Sequence, residues 1–332
     1  MNRRAFLAGA AGAAAHALAA QPPRSSMGIA VTCYMSFGRP KDTLEFLEHA
    51  HALGAGGIQM PLTSLDPDYI RSLRTRTERL GMYYEAISAL PKTADAAAFE
   101  STVAAAKEAG ALAVRVNCLP GRRYENFTSL ADWEKAVEQS HRNIDIALRI
   151  VEKHRVPLAI ENHKDWTAAE MAALMKAKSS RWLGVCLDTG NNIALLDDPI
   201  DAVETLAPFA ISSHIKDMGV ASYPEGFLLS EMPLGDGLLD MRRIVDTLRR
   251  ARPETRLTLE MITRDPLKVP CLTDAYWATF PQRNGLYLAR TLRMRSDRAL
   301  PVVSGLAREA QLRLEEDNVR RSLAYAHASL DL

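Results

Sequence analysis

Short apolar segments alternate with longer amphipathic segments along most of this chain, and that alternation restricts its fold more than any other feature. The short segments are rich in β-branched and apolar residues, and most of the longer segments end at glycine or at a basic residue, as strands and helices do. Strands are predicted at 28–35, 56–60, 82–88, 112–117, 157–163, 182–188, 211–217 and 256–262.

A helix is predicted after each strand, which gives eight strand–helix pairs. This is the count of a single-domain (β/α)8 TIM barrel, here spanning 28–295. A doubly wound sheet would need a glycine-rich phosphate loop after its first strand, and YMSFGRP at 34–40 lacks that spacing. A further helix is predicted at 303–330, packed on the barrel or on another subunit. The barrel helices are predicted at 40–54, 67–81, 96–110, 130–154, 167–178, 200–209, 238–251 and 282–295.

The first 20 residues differ in kind from the rest of the chain. Arg3 and Arg4 precede a weakly apolar run of small residues, and 17–19 reads Ala-Leu-Ala, a pattern that signal peptidases accept. The segment 1–20 is similar to a twin-arginine signal peptide. We therefore expect a periplasmic or secreted protein with no membrane anchor after cleavage; the alternative is an ordinary N-terminal helix.

Composition excludes one class of partner and describes the thiols. The formal net charge is +1, so no strongly basic face is available for nucleic acid. The chain has four cysteines and no Cys-x-x-Cys motif. Because Cys33 and Cys186 lie inside apolar strand segments, we expect free, mostly buried thiols.

Four neighbouring strands place an ionisable side chain at the same end. Strand five ends near Glu161, strand six at Asp188, strand seven carries His214 and strand eight Glu260. Each alone has an ordinary explanation, such as a turn, an ion pair or a core histidine. Together, three carboxylates and an imidazole would repel and desolvate one another without a cation. The set predicts a divalent metal, Mn²⁺ or Mg²⁺, with Co²⁺ or Zn²⁺ as alternatives.

Five short motifs carry a family resemblance over about 28–295. The chain resembles the xylose isomerase-like barrels of the sugar phosphate isomerase/epimerase superfamily, which includes tagatose and psicose epimerases and hydroxypyruvate isomerases. The resemblance implies that the four strand-end residues are metal ligands and that Glu161 and Glu260 are the paired acid and base. The motifs are ENHKD at 161–165, CLDTGN at 186–191, HIKD at 214–217, LGDG at 234–237 and LEMI at 259–262.

Further residues are candidates for the reaction and for substrate binding. Lys216 is expected to contact a developing oxyanion, with holding the HIKD turn as the alternative. His163 is expected to contact substrate or transfer a proton, with a structural role as the alternative. Asn191 stands where the epimerases usually place a substrate-contacting histidine. Loops 221–237 and 264–281 are expected to form a lid with an aromatic wall. The substrate-binding candidates are Asn117, Asn191, Arg264 and Trp277, with Gln59 and Glu85 as a pocket floor or as turn caps.

The function predicted from these residues is a metal-dependent sugar isomerase or epimerase. A metal next to two glutamates can move a proton beside a carbonyl through an enediolate. Elimination from a 3-keto-glycoside begins with the same step and is the close alternative. An endonuclease-like hydrolase is disfavoured, because strands two to four end without histidine; a non-catalytic sugar-binding barrel is the remaining alternative. The expected partner is a small carbohydrate, and homo-oligomerisation stays open.

Overall fold

The computed structural model describes residues 24–119 and 121–332, and the predicted signal segment 1–20 lies outside them. Eight parallel strands follow one another around a barrel, with helices between them. The barrel strands are β1 Gly28–Ala30, β2 Gly57–Met60, β3 Tyr83–Ile87, β4 Val114–Val116, β5 Leu158–Glu161, β6 Leu183–Asp188, β7 Ala210–His214 and β10 Thr258–Leu259.

The ring of strands closes between β7 and β10. On one side β10 pairs in parallel with β1, where Leu259 lies opposite Ile29. On the other side Ile215, just after β7, forms a parallel bridge with Leu259 and donates its N–H to the carbonyl of Thr258 at 2.7 Å. The predicted single-domain (β/α)8 barrel is therefore confirmed.

Capping residues mark the ends of several helices. Thr167 and Glu170 form a reciprocal capping box at the start of α6. Gly81 ends α2 with a φ of +64°, a left-handed conformation that glycine adopts without strain. The helices are α1 Thr43–Ala52, α2 Pro67–Leu80, α3 Ala96–Glu108, α4 Arg123–Asn126, α5 Leu130–His154, α6 Ala168–Lys178, α7 Pro199–Leu206, α8 Met241–Ala251, α9 Asp274–Trp277, α10 Gly285–Arg293 and α11 Arg308–Leu330.

A small second sheet stands beside the barrel mouth, where the sequence predicted open loops. Strands β8 Asp217–Tyr223 and β9 Gly226–Met232 form an antiparallel hairpin, and β11 Leu267–Val269 pairs with β9. The expectation of unstructured loops at 221–237 and 264–281 is therefore wrong for much of both segments. Alternating burial explains the hairpin, because Phe227 and Leu229 are fully buried while Leu228 is only partly so.

The C-terminal helix α11 packs on the barrel and begins five residues later than predicted. Its apolar face buries Val319 and Leu323. The carboxylate of Glu315 accepts backbone N–H groups from Phe37 at 3.1 Å and from Gly38 at 2.6 Å. Helix α11 therefore fixes the loop that follows β1 at the barrel mouth.

The four cysteines have the predicted state. Each is buried and free. Burial raises the pKa of the Cys271 thiol to about 11, so it is protonated at neutral pH. Among the described residues, no helix is long and apolar enough to cross a membrane.

Candidate metal centre

The barrel brings the four predicted metal ligands together at one end. Glu161 and Asp188 are the last residues of β5 and β6, and His214 ends β7 directly opposite Asp188. Glu260 follows β10, and its N–H bonds to the carbonyl of Ile215 at 3.0 Å. One potential ligand atom from each of the four lies within 4.8 Å of the others, and all four side chains are buried. These four residues are called the quartet below.

Distances within the quartet suit a single divalent ion. Nδ1 of His214 lies 3.3 Å from Oε1 of Glu260, 3.6 Å from Oε2 of Glu161 and 3.8 Å from Oδ2 of Asp188. Ligand atoms that are each about 2.1 Å from one ion lie about 3–4 Å apart. The quartet therefore needs little rearrangement to hold a cation.

His214 is oriented by polar groups inside the barrel. Its Nε2 lies 2.6 Å from Oε1 of Gln59, which only accepts, so we assign a proton to Nε2; in the neutral form that binds a metal, Nδ1 then carries the free lone pair. The amide of Gln59 donates in turn to Glu85 at 2.9 Å and to Ser212 at 3.2 Å. Gln59 and Glu85 are thus neither turn caps nor an open pocket floor, but a buried support for the histidine.

Two carboxylates of the quartet are each held by one oxygen. Oδ1 of Asp188 accepts backbone N–H groups from 190 and 191 at 2.9 and 2.7 Å. Oε1 of Glu161 accepts from the side-chain amide of Asn191 at 3.0 Å. Because one oxygen is fixed, the second oxygen of each carboxylate is presented to the centre of the quartet.

The atoms presented to the centre have no hydrogen-bond donor. They are buried, yet Nδ1 of His214, Oε2 of Glu161 and Oδ2 of Asp188 have no hydrogen-bond partner. Arg115 and Lys216 approach the two carboxylates as ion pairs without hydrogen-bond geometry. Buried acceptors without a donor are costly, and a cation removes that cost. Three oxygens and one imidazole nitrogen fit a divalent metal.

Lys216 lies against the quartet, as its predicted role requires. Its ammonium is fully buried, 2.9 Å from Asp188 and in contact with Glu260. Burial disfavours its charge, but those two carboxylates and Glu231 raise its pKa above the ordinary range. Burial likewise disfavours ionised Glu260, yet His214 and Lys216 hold the pKa of that carboxyl well below its usual value.

Three other predicted residues lie around the quartet. Asn191 bonds to Glu161 and accepts from the ammonium of Lys216 at 3.5 Å. His163 is half-buried with Nδ1 3.1 Å from the carbonyl of Gly121, and burial together with nearby cations lowers its pKa well below the usual range. Asn117 follows β4, and its Oδ1 is buried without a partner.

Arg264 and Trp277 belong to the loop after β10. Arg264 donates to both carboxylate oxygens of Glu231, at 2.5 and 3.2 Å. Trp277 ends α9 and donates from Nε1 to the carbonyl of Cys271 at 2.9 Å. The expected aromatic wall is not formed by its neighbours, because Tyr276 and Phe280 are buried and stack on each other at 5.1 Å.

Three buried charged residues of the site were not among the predicted ones. Arg115 lies in the middle of β4 and pairs with Glu161. Lys164 contacts the side-chain oxygen of Asn191. Glu231, in β9, pairs with Arg264. An arginine inside the apolar strand 112–117 was a usable signal, whereas Glu231 was hidden in a segment predicted to be a loop.

The fold and the quartet define a class: a (β/α)8 barrel with a candidate divalent-cation site at its carboxyl mouth. The chain belongs to the xylose isomerase-like TIM barrel family, whose sequence model matches residues 47–279.

Relatives of this chain and solved structures similar to it include proteins with named activities. A 3-oxo-isoapionate decarboxylase of Pectobacterium atrosepticum is 26% identical over 236 residues, which cover 67% of this chain and 81% of the relative. A D-psicose 3-epimerase structure determined with D-fructose aligns with a TM-score of 0.58 at 18% identity, covering 92% of this chain and 99% of that one. A Mycobacterium smegmatis family member in complex with magnesium aligns with a TM-score of 0.53 at 17% identity, covering 81% and 98%.

Proposed function

We propose that this protein is a divalent-metal-dependent enzyme that moves a proton beside the carbonyl of a carbohydrate through an enediolate, as sugar isomerases and epimerases do. The observation that carries the proposal is the quartet, whose buried ligand atoms face one centre and include three without a hydrogen-bond partner. Mn²⁺ or Mg²⁺ suits the oxygen-rich ligand set, with Co²⁺ or Zn²⁺ as alternatives. When bound, the cation would supply positive charge to the carbonyl and hydroxyl oxygens of the substrate.

The residues of the quartet divide the proton transfer between them. Burial disfavours the charge of Glu260, yet His214 and Lys216 lower its pKa, so at neutral pH it is ionised and available to accept a proton. Glu161 presents Oε2 to the same centre from the end of β5. The ammonium of Lys216 is positioned to donate a hydrogen bond to oxygen as negative charge develops there.

The remaining candidates are proposed to bind or orient the substrate. His163 has a pKa well below the usual range, so it would act as a neutral donor or acceptor. Asn117 offers a buried amide oxygen without a partner. Asn191 lies between Glu161 of the quartet and the ammonium groups of Lys164 and Lys216. Arg264 and Trp277 are proposed to contact the substrate from the loop after β10.

Decarboxylation of a 3-oxo sugar acid is the second candidate, favoured by the 26% identical relative named for that reaction. In this reaction the bond from C1 to C2 breaks, CO₂ leaves, and its electron pair forms an enolate with the 3-oxo group. A proton from solvent water then completes C2. The two candidates share the enolate, and carbon loss separates them.

Hydrogen exchange in heavy water tests the proposal directly. Purified protein with added Mg²⁺ or Mn²⁺ is incubated with ketoses, aldoses and 3-oxo sugar acids, and products are read by mass spectrometry after metal removal. Deuterium incorporated beside a carbonyl is expected, and should be lost in Glu260→Gln but kept in Glu204→Gln, an exposed glutamate on α7. No exchange and no carbon loss with any compound, despite bound metal, would contradict it.

We also propose that segment 1–20 directs twin-arginine export. Replacing Arg3 and Arg4 with lysine should keep the protein in the cytoplasm, as cell fractionation would show. Export that continues unchanged in this double variant would contradict the proposal.

A further inference from the structure

We infer that the substrate of this site carries a carboxylate and that the ammonium group of Lys164 binds it. The inference rests on the proposed function only because that function places the reacting carbons at the quartet. It goes further by assigning a chemical class, sugar acids, and a residue that selects it.

Lys164 is a buried cation without an acidic partner. Its side chain follows β5, three residues after Glu161, and the residue is 3% exposed. Its Nζ contacts the side-chain oxygen of Asn191. Across residues 24–119 and 121–332, no carboxylate oxygen lies within ion-pair distance of this Nζ, in contrast with Lys216, which contacts two members of the quartet. A buried charge is normally paired, so this position favours an anion from outside the chain.

The charged neighbours of Lys164 are two cations and two carboxylates, and each of those carboxylates already pairs with another cation. Lys216 points at the same Asn191 oxygen, with its Nζ 3.5 Å away. Outside the quartet, the carboxylate whose charge acts on Lys164 is that of Glu231, which already accepts two hydrogen bonds from Arg264. Burial and the charge of Lys216 together lower the pKa of Lys164 to about 7. An anion bound here would restore the charged ammonium.

Charge balance among the quartet and its charged neighbours indicates the same ligand class. With Glu85, which lies behind His214, left aside, four basic groups face four carboxylates when Lys164 is charged, so the two charges of a divalent cation would be left over. A neutral sugar would leave both uncompensated in a buried site. A sugar acid would neutralise one of these charges when it binds. The basic groups are Arg115, Lys164, Lys216 and Arg264, and the carboxylates are Glu161, Asp188, Glu231 and Glu260.

A matched ligand pair tests the inference without turnover. D-Fructose and 2-oxo-D-gluconate share the carbonyl position and the configuration of the other carbons, and differ at C1, which is CH₂OH in one and carboxylate in the other. Binding of each is measured by calorimetry to the full-length protein, once with Mg²⁺ and once after chelator treatment. The variants are Lys164→Met and the control Lys176→Met, an exposed lysine on α6. Thermal unfolding verifies that both are folded.

The wild-type protein should bind the acid about 10–100-fold more tightly than the ketose, the range expected for one charge-assisted hydrogen bond. Lys164→Met should remove that ratio, and Lys176→Met should keep it. If Lys164 merely positioned Asn191, the variant would weaken both ligands equally, which would overturn the inference. Equal binding of both ligands by the wild type, or no acid binding at all, would also overturn it. Absence of hydrogen exchange with an intact binding ratio would instead refute the proposed function alone.

Discussion

Lys164→Met should make the metal-free protein more stable, although most core substitutions destabilise. A pKa lowered from 10.5 to about 7 corresponds to roughly 5 kcal/mol of unfavourable free energy for the buried charge. Methionine has similar length and no charge. The lost hydrogen bond to Asn191 costs about 1–2 kcal/mol, so the net gain should be about 3 kcal/mol at pH 6.

The gain should depend on pH in a defined direction. Folding lowers the pKa of this lysine, so its buried charge destabilises the folded state fully below about pH 7. The destabilisation falls as pH rises toward 10.5, where the lysine is neutral in the folded and the unfolded states. The charged groups that face it are Lys216, Glu231, Arg264 and Asp188. The difference between variant and wild type should therefore vanish by about pH 9–10.

Urea unfolding at pH 6, 8 and 9.5, in chelator, measures this difference, because titrations common to both proteins cancel. Lys176→Met should match the wild type at every pH. A variant that is less stable at pH 6, or a difference that does not change with pH, would refute the idea that Lys164 is held as an unpaired charge. A residue that binds substrate but lowers the stability of the fold is common at functional sites.

Three further predictions concern support of the site. Gln59→Leu removes the acceptor of His214 Nε2, so metal affinity should fall about 10–100-fold by calorimetry, with the fold intact. Asp217→Asn places an amide where each carboxylate oxygen accepts two backbone N–H groups, so urea unfolding should show a loss of about 2–4 kcal/mol. Burial raises the pKa of Asp165 to about 7, so wild-type stability should fall relative to Asp165→Asn by up to about 4 kcal/mol from pH 4 to pH 7; parallel pH profiles would contradict this.

Periodicity was sufficient to predict the barrel but not the details of its mouth. The eight strands lie within or overlap the predicted segments, since a strand buried on both faces leaves a continuous apolar run. The first predicted strand, 28–35, is shortened to 28–30, because 31–34 turns into a 3₁₀ helix. That turn lets Thr32 donate to Glu260 at 2.8 Å, a contact between residues 228 positions apart. Local sequence carries no information on such a pairing.

The hairpin could have been predicted, whereas the position of Lys164 could not. Pro224-Glu225-Gly226 is a turn sequence between two alternating segments, and Gly226 has a φ of +156° with no room for a side chain. Lys164 stands in the ENHKD motif, but a lysine beside the barrel mouth is ordinarily solvated. Only the packed loops show that it is buried and faces Asn191 without a carboxylate.

Asn191 makes contacts that a histidine at the same position could not make. Its backbone N–H fixes Asp188, its side-chain NH₂ fixes Glu161, and its side-chain oxygen accepts from two lysine ammonium groups. A neutral imidazole has one donor and one acceptor, and cannot reproduce this set from one side chain. The asparagine therefore connects the ligands of the quartet to the cations beyond it. A substrate carboxylate on Lys164 would bind next to that connection, so the acid group and the reacting carbon would be oriented by the same residue.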